Sequence, residues 1–286
     1  MATAGHTGPV TASRSSADDE RRARLARSFD AVARDYHRYR PGYPERAVRL
    51  ALPDGGADRS ARWDVLDLAA GTGILTGAVL PWCRSLVAVE PLAGMREQLT
   101  GRHPSITVLD GRAEAIPLAA ASVDAVLVGQ AFHWFEPHAA LAEVARVLRP
   151  GGVLSLLANE ARDTPETRRL RRDIQTAKDR LDRPTRRRTT DGSAAVPPEP
   201  TGSPFAHPAF AIPVHTVVPW TRSLTGPQLL AEHHTHSIVL TASAARRATF
   251  DDEVRAALDR HRADRPADEP LGLPMQCHVW RAVRRS

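Results

Sequence analysis

The sequence lacks the long apolar runs and the cysteine pattern that mark membrane-spanning and disulfide-bonded proteins. No uninterrupted apolar stretch among its 286 residues approaches the roughly 20 residues needed to cross a bilayer, which excludes a membrane span. The cysteines, Cys83 and Cys277, have no spacing typical of a disulfide framework or of a structural zinc site. We therefore expect a reducing compartment, the cytoplasm, and no metal.

Lysine is almost absent from a chain that is rich in arginine. Of the 39 basic residues only Lys178 is a lysine, which indicates a biased composition and no particular function. The formal net charge is +6, but residues 168–188 hold ten basic and three acidic side chains, and the remaining 29 basic and 30 acidic residues nearly cancel. The charge therefore belongs to one segment and does not favour a nucleic-acid partner.

Short, almost wholly apolar runs alternate with amphipathic stretches along the chain. The runs predicted as strands are 63–68, 86–90, 106–109, 123–128 and 153–158, followed later by 212–220 and 277–283. Parallel strands that are covered on both faces have this composition, and the apolar spacing at 138–148 is typical of a helix between them. The pattern predicts a doubly wound α/β fold, a mostly parallel seven-stranded Rossmann-like sheet with helices on both faces.

The strongest motif, at 65–76, joins the first predicted strand to a glycine turn. Gly71 and Gly73 let the backbone approach a ligand that a Cβ would block. Thr76 stands where a dinucleotide fingerprint has its third glycine. Asp67 precedes the turn, and its carboxylate would repel a pyrophosphate but favour an ammonium group. The motif therefore predicts a site for a nucleoside ligand without phosphates.

Further polar groups follow the later strands. Glu90 ends the second strand, 23 residues after Asp67, where a carboxylate can accept both hydroxyls of a ribose; the alternative is a solvated acid at a strand end. Residues 110–114 follow the third strand, where they can contact the edge of an adenine ring, and residues 129–135 follow the fourth strand. Because ligands of doubly wound sheets bind at the carboxyl edge, we expect these groups to meet in one site.

Together these motifs resemble the class I S-adenosylmethionine-dependent methyltransferase superfamily, and most closely its small-molecule branch of trans-aconitate methyltransferase-like proteins. The similar segments are 65–76, 90–95, 111–114, 130–135 and 148–152, with an upstream arm at 29–44. The resemblance implies S-adenosyl-L-methionine as the cofactor and methyl transfer to oxygen, nitrogen or a carboxyl group of a small molecule. The Arg-biased composition is compatible with specialised metabolism.

The resemblance also implies which residues contact the cofactor. They are Asp67, Ala69, Gly71, Gly73, Glu90, Pro91, Met95, Ala113, Glu114 and Gln130. The first four would line the methionine part and Gln130 would border it, while Glu90 would hold the ribose and the Ala113 backbone would face adenine. Two positions depart from the family pattern. Ala69 replaces a frequent glycine, and Arg112 cannot accept a hydrogen bond from the adenine amino group.

Three residues, Tyr36, Arg40 and His133, are candidates for contacts with the reacting groups. A general base adds about 10²- to 10⁴-fold for a hydroxyl or amine acceptor, and His133 is the candidate, or else it only shapes the pocket. Tyr36 and Arg40 would close over the cofactor as a lid. Arg40 would face the methionine carboxylate or an acidic substrate; the alternative is an exposed salt bridge at a helix end.

Composition divides the chain into five predicted segments. They are a disordered tail (1–17), an N-terminal helical arm or lid (18–52), a cofactor-binding Rossmann-like core (53–160), an Arg-rich helical insert with a mobile Pro-rich loop (161–211), and C-terminal strands and helices that complete the sheet (212–286). The mobile part is a proline-, serine-, threonine- and glycine-rich stretch at 184–208, which is too long and polar for an ordinary loop.

Several alternatives stay open at the level of sequence. His233, His234 and His236 do not share one helix face at these spacings and no carboxylate partner is evident, so a metal site is not predicted. The arginine run at 168–188 is expected to be a solvated face, with a substrate-capping element or a site for an acidic partner as alternatives. An RNA or protein methyltransferase that docks through this insert, or a non-catalytic cofactor-binding protein, are the other functions. The acceptor and the oligomeric state are not specified.

Overall fold

The structure is a computed structural model that describes residues 33–55, 57–58, 60–181, 207–262, 266 and 268–286. The predictions for the tail at 1–17, for the first part of the arm up to residue 32 and for the Pro-rich stretch up to residue 206 lie outside these residues. The domain boundaries drawn from composition remain predictions.

Seven strands form one sheet. They are β1 (Trp63–Leu68), β2 (Cys83–Val89), β3 (Thr107–Leu109), β4 (Val123–Gly129), β5 (Leu148–Ala161), β6 (Val214–Leu224) and β7 (Leu271–Val283). Their order across the sheet is β3-β2-β1-β4-β5-β7-β6. The first five pair in parallel, and β7 pairs antiparallel with β5 and β6. The predicted mostly parallel seven-stranded sheet is confirmed.

Nine α-helices are found within the described ranges. They are α1 (Ala33–Tyr39), α2 (Glu45–Leu50), α3 (Ile74–Val79), α4 (Ala93–Arg102), α5 (Pro137–Val147), α6 (Arg168–Leu181), α7 (Gly226–His234), α8 (Ser237–Leu240) and α9 (Ala244–Arg262). Two 3₁₀ turns, Leu80–Trp82 and Phe132–Trp134, follow α3 and β4. Most helices thus connect consecutive strands, as a doubly wound sheet requires.

The sheet separates two apolar clusters. Val65 of β1 packs with residues of α2 and α3, whereas the next residue, Leu66, packs with residues of α5. Successive side chains of a strand point to opposite faces, so these clusters lie on the two sides of the sheet. Each fully buried aliphatic side chain stabilises the fold by about 1.5–3 kcal/mol. Because both faces of β1 and β4 are covered, these strands are almost wholly apolar in sequence.

A third apolar cluster lies in the helices that follow the carboxyl ends of β5 and β6. Leu170, Leu229 and Phe250 contribute to it from α6, α7 and α9, and Leu224 and Leu271 from the adjoining ends of β6 and β7. We call α6 to α9 the cap. The cap follows the edge of the sheet at which ligands of doubly wound folds bind, and α1 packs against α7.

Some elements extend further than predicted. β5 runs from Leu148 to Ala161, beyond the predicted 153–158, because its last residues pair with β7 where burial is incomplete. α9 begins at Ala244, although its first turns carry arginine and threonine and show no apolar stripe. The backbone hydrogen bonds of these elements therefore extend beyond the apolar residues that predicted them. No helix in the described part of the chain is long and apolar enough to span a membrane.

Candidate functional site

The turn between β1 and α3 contains three left-handed residues. Ala69, Gly71 and Gly73 have φ angles of +56°, +58° and +86°, a region that favours glycine because a Cβ crowds the backbone there. A Cβ added to Gly73 would overlap the side chain of the buried Leu99, which would have to shift. A Cβ added to Gly71 would meet nothing within 4 Å. The turn is therefore open on the side of Gly71.

Asp67 lies at the end of β1 with 1% of its surface exposed. Its Oδ2 accepts a hydrogen bond from Thr76 Oγ1 at 2.5 Å, whereas its buried Oδ1 has no hydrogen-bond partner. Burial raises the pKa of Asp67 to about 7, and the neighbouring charge of Glu90 adds to the increase. Thr76, at the position of the missing third glycine, thus holds one oxygen of the acid and leaves the other unbonded.

Glu90 links the glycine turn to the start of α4 through two hydrogen bonds. It directly follows β2 and is 4% exposed. Its Oε2 accepts a hydrogen bond from the backbone N–H of Gly71 at 2.8 Å, and its Oε1 accepts one from the backbone N–H of Leu92 at 3.0 Å. The alternative of a solvated acid at a strand end is therefore wrong, because the carboxylate is buried and fixes two loops.

The residues implied for the adenine side lie in the loops after β2 and β3. Met95 and Ala113 are buried, and Pro91 is exposed. Glu114 Oε1 accepts a hydrogen bond from the backbone N–H of Glu136 at 2.8 Å, which joins the loop after β3 to the start of α5. This carboxylate therefore has a contact within the protein, and its role toward a cofactor stays a prediction.

Gln130 bridges the ends of β4 and β5. Its backbone N–H donates to Leu157 O at 2.9 Å, and its side-chain Nε2 donates to Asn159 O at 3.0 Å. Asn159 Nδ2 in turn donates to Gly42 O at 2.9 Å, and Asn159 Oδ1 is buried without a hydrogen-bond partner. These contacts attach the segment between α1 and α2 to the carboxyl edge of the sheet.

His133 lies in the 3₁₀ turn after β4, with its ring centroid 4.8 Å from that of Trp134. Its side chain is exposed, yet neighbouring atoms partly desolvate the ring and lower its pKa. A neutral imidazole at neutral pH can accept a proton. Within the described residues this ring forms no hydrogen bond that would orient it, so its role as a base stays a prediction.

The arm contacts the glycine turn through His37. The Nδ1 atom of this α1 residue lies 3.1 Å from Thr72 O and 3.2 Å from Thr72 Oγ1. Burial is the main cause that lowers the pKa of His37, followed by the charge of Arg102. The ring is therefore neutral at neutral pH, and its single N–H can donate to Thr72. This contact holds α1 against the turn.

Tyr43, which follows α1, lies against Gly129 at the end of β4. A Cβ added to Gly129 would lie 2.5 Å from Tyr43 Oη, so the glycine leaves room for the hydroxyl. Burial raises the pKa of Tyr43 well above its ordinary value, and the neighbouring Cys277, Tyr36 and Asp67 add to the increase. Tyr43 is thus an electrostatic neighbour of the acid beside the glycine turn.

Arg40 reaches from the arm to the cap. Its guanidinium lies 5.0 Å from the ring centroid of Tyr36, and its Nη1 lies 3.3 Å from His236 Nε2. Its Nε is buried without a hydrogen-bond partner. This side chain is half-buried, and no carboxylate in the described ranges pairs with it, so its role toward a ligand stays a prediction.

Five basic side chains and one acid lie close together between the arm and the cap. These are Arg40, Lys178, Arg222, His233 and His236, and the acid is Glu232. Arg222 Nη1 donates to Glu232 Oε2 at 2.6 Å. Lys178 Nζ lies 3.3 Å from His236 Nδ1, and the ring centroids of His233 and His236 are 5.2 Å apart. We call these six residues the basic cluster.

The histidines near the end of α7 are arranged differently from the prediction made from the sequence. α7 ends at His234 and α8 begins at Ser237, so the chain turns and brings the rings of His233 and His236 together, although they were expected to lie on different helix faces. His234 Nε2 also has a carboxylate partner, Asp251 Oδ1, at 2.6 Å. Among the residues that the structure describes, no group of three or more His, Cys, Asp or Glu could hold a metal ion.

Known proteins are similar to this chain in sequence and in fold. Residues 66–156 match the methyltransferase domain family. Over 239 residues the chain is 38% identical to an uncharacterized methyltransferase of Mycobacterium tuberculosis, and the match covers 84% of this chain and 88% of that protein. The chain belongs to the class I S-adenosylmethionine-dependent methyltransferase superfamily.

Two further relatives extend this result. A solved structure from Anaeromyxobacter dehalogenans, named as a type II methyltransferase, is 25% identical with a TM-score of 0.60, and the match covers 86% of this chain and 98% of that one. A demethylmenaquinone methyltransferase of Renibacterium salmoninarum is 37% identical over 141 residues, 48% of this chain and 59% of that protein. Membership of the superfamily is confirmed, whereas the narrower small-molecule branch stays a prediction.

Several residues of this methyltransferase's site were missed by the interpretation of the sequence. His37 holds the arm, Thr76 holds Asp67, Tyr43 reaches the end of β4, and Lys178 enters the basic cluster. Thr76 was visible only as an absent glycine and Lys178 only as the single lysine. Neither pattern indicates a contact, because the partners lie on other elements of the fold.

Proposed function

We propose that this methyltransferase transfers the methyl group of S-adenosyl-L-methionine to a small-molecule acceptor at the carboxyl edge of the sheet. The observation that carries the proposal is the buried Oδ1 of Asp67, which has no hydrogen-bond partner, at the strand end that leads into the open turn at Gly71. Such an atom costs free energy unless a ligand supplies a donor. The ammonium group of a methionine moiety is a donor of this kind.

The residues at this edge fit the cofactor. Asp67 would hold the ammonium group, Glu90 the ribose hydroxyls, and the backbone of Ala113 the adenine. A carboxylate has about four acceptor positions, so Glu90 can serve ribose hydroxyls together with the backbone N–H groups of its two loops. When bound, the cofactor supplies a methyl group on a sulfonium sulfur, which is a good electrophile.

The protein must then align the acceptor and exclude water. His37 holds the arm against the turn, and Tyr43 fills the space beside Gly129 at the end of β4. Both contacts favour a site that is closed at the methionine end. His133 is the candidate to take a proton from a hydroxyl or amine acceptor, whereas a carboxylate acceptor needs no base.

The small-molecule acceptor has two supports. The name of the Renibacterium relative gives demethylmenaquinone, a small molecule, as its substrate. In addition, arginines of α6 are partly neutralised within the protein, since Arg168 Nε lies 3.1 Å from Asp163 Oδ2 and Arg180 pairs with Glu253. These ion pairs weaken the case for docking of RNA or protein on the described part of the Arg-rich insert.

Two glycine substitutions test the cofactor site. Gly71 and Gly151 both have positive φ angles, +58° and +79°, and a Cβ on either residue meets nothing within 4 Å. Alanine at either position should therefore impose a similar backbone strain, about 1–3 kcal/mol. We expect only Gly71→Ala to weaken binding of S-adenosyl-L-homocysteine, by about tenfold or more in calorimetric titration, because only its methyl group enters the proposed site.

Equal affinity of the two variants would mean that the ligand does not use the open side of the turn. Absence of binding of both S-adenosyl-L-methionine and S-adenosyl-L-homocysteine to the folded wild-type protein would overturn the proposal. Glu90→Ala is a less direct test, because it also removes the acceptor of the Gly71 and Leu92 backbone N–H groups and disturbs both loops.

A further inference from the structure

The basic cluster has more hydrogen-bond donors than acceptors. A neutral imidazole has one acceptor nitrogen, yet Arg40 Nη1 and Lys178 Nζ lie 3.3 Å from the two nitrogens of His236. If Arg40 donates to Nε2, the Nδ1 of His236 carries the hydrogen and faces the ammonium group of a charged lysine. Arg40 Nε and both ring nitrogens of His233 are also buried without partners. The cluster therefore lacks acceptors.

The cluster also lacks negative charge. Glu232 is the acid that the described residues place in it, and this carboxylate pairs with Arg222 at 2.6 Å. Neither Arg40 nor Lys178 pairs with a carboxylate of the described ranges. Burial lowers the pKa of Lys178 to about 8; the negative charge of Glu232 opposes this decrease, and the positive charge of Arg40 adds to it. Partly buried cations that no carboxylate pairs with are costly, and such positions are common at functional sites.

Tyr43 connects the basic cluster with the proposed cofactor site. Asp67, Tyr36 and Arg40 all act electrostatically on the Tyr43 hydroxyl, and the Arg40 guanidinium packs on the ring of Tyr36. Asp67 is the residue proposed to face the methionine end, from which the methyl group departs. A molecule whose anionic end reached the cluster would therefore have its other end close to the transferable methyl group.

We propose that the basic cluster binds a carboxylate or phosphate group of the methyl acceptor, which makes the acceptor an acidic small molecule. The inference rests on the proposed function, since the acceptor must approach the methionine end of the cofactor. The oxyanion supplies the acceptors that Arg40, Lys178 and His233 lack, and it balances their charge. The methionine carboxylate of the cofactor has the same chemistry, so the experiment separates the two sources.

A pair of variants on α6 tests the inference. Lys178→Met and Arg172→Met each remove one positive charge and introduce a good helix former, but Arg172 is exposed. Each protein is saturated with S-adenosyl-L-homocysteine and then titrated with malonate, tricarballylate and inorganic phosphate. We expect the wild type and Arg172→Met to bind at least one oxyanion saturably, and Lys178→Met to bind it about tenfold or more weakly, with equal affinity for S-adenosyl-L-homocysteine in all three.

Proton uptake distinguishes a direct contact from a structural effect. An anion beside Lys178 raises the depressed pKa of the ammonium group, so wild-type binding near pH 8 should take up protons. Calorimetry in two buffers of different ionisation enthalpy measures this uptake, which should disappear in Lys178→Met. In the absence of ligands this variant should also raise the Tm by about 2–4 °C, because it removes a partly buried positive charge that no carboxylate of the described ranges pairs with. A lower Tm with unchanged oxyanion binding would overturn the inference.

The remaining outcomes separate this inference from the proposed function. Equal losses of S-adenosyl-L-homocysteine and oxyanion affinity in Lys178→Met would assign the cluster to the methionine carboxylate and overturn the acceptor assignment. Failure of the saturated wild type to bind any of the three oxyanions would also overturn it. Failure of the folded wild type to bind S-adenosyl-L-homocysteine would instead overturn the proposed function, and titration of the oxyanions alone would then show whether the cluster binds anions.

Discussion

At the scale of single residues, the raised pKa of Asp67 predicts that ligand binding at the candidate site depends on pH. Burial raises its pKa from 3.8 to about 7, so the folded protein holds a proton that the unfolded chain loses at lower pH. The contribution of this group to stability is therefore full below about pH 4 and is lost as the pH rises through about 7. A bound ammonium group acts in the opposite direction, because it favours the ionised carboxylate.

We predict that the affinity for S-adenosyl-L-homocysteine increases as the pH rises from about 5.5 to 8, and that binding near pH 6.5 releases protons. The reason is that the ligand must ionise Asp67 in order to use its unbonded Oδ1. Titration at several pH values, and in two buffers at one pH, measures both effects. Asp67→Asn should remove the pH dependence; the same slope in both proteins would contradict the role of Asp67.

Single residues also show what could be predicted from the sequence. The place of Glu90 at the carboxyl edge of the sheet was predictable, because a carboxylate directly after an apolar run falls at the carboxyl end of a parallel strand. Lys178 was visible as the single lysine but not as a partly buried cation, since its partner His236 is 58 positions away. Side-chain contacts between distant elements leave no periodic pattern in the sequence, so the basic cluster could be identified only in the structure.

At the scale of elements, α1 is held to the candidate site by contacts with other elements. Its described part is short, and short helices depend on tertiary packing for most of their stability. Its contacts must therefore hold it in place, and the pair of short distances from His37 Nδ1 to Thr72 is one of them. The neighbouring Arg38 is exposed and packs over Tyr39, so it provides a matched position on the same helix.

We predict that His37→Ala weakens binding of S-adenosyl-L-homocysteine by about fivefold, whereas Arg38→Ala changes it little. Loss of the contact with Thr72 should let the arm open, so amide hydrogen exchange over residues 33–44 should become faster only in His37→Ala. Exchange measurements with and without the ligand check the mechanism. Unchanged exchange together with unchanged affinity would show that the arm does not depend on this contact.

The strands were more predictable than the helices of the cap. β1 and β4 are buried on both faces, and this produces the apolar runs that located them. The cap is different, because α7 and α8 are short and a turn between them brings His233 onto His236. Helical periodicity placed these rings on different faces, since it assumes a helix that continues. The end of α7 was the feature that the sequence did not reveal.

At the scale of the whole molecule, the arm contacts both proposed sites. His37 touches the glycine turn of the cofactor site, and Arg40 touches His236 of the basic cluster, 196 positions away in the chain. A ligand at either site should hold the arm in its closed position and so reduce the cost of binding at the other. Linkage requires that each ligand changes the affinity for the other by the same factor.

We therefore predict positive coupling between S-adenosyl-L-homocysteine and the oxyanion that the basic cluster binds, by about fivefold or more. Four titrations, each ligand with and without the other at saturation, give the factor in both directions. His37→Ala should reduce the factor toward one, because an arm released from the turn no longer connects the sites, while Arg38→Ala should preserve it. Independent binding in the wild type would show that the two sites are not joined by α1, even if both exist.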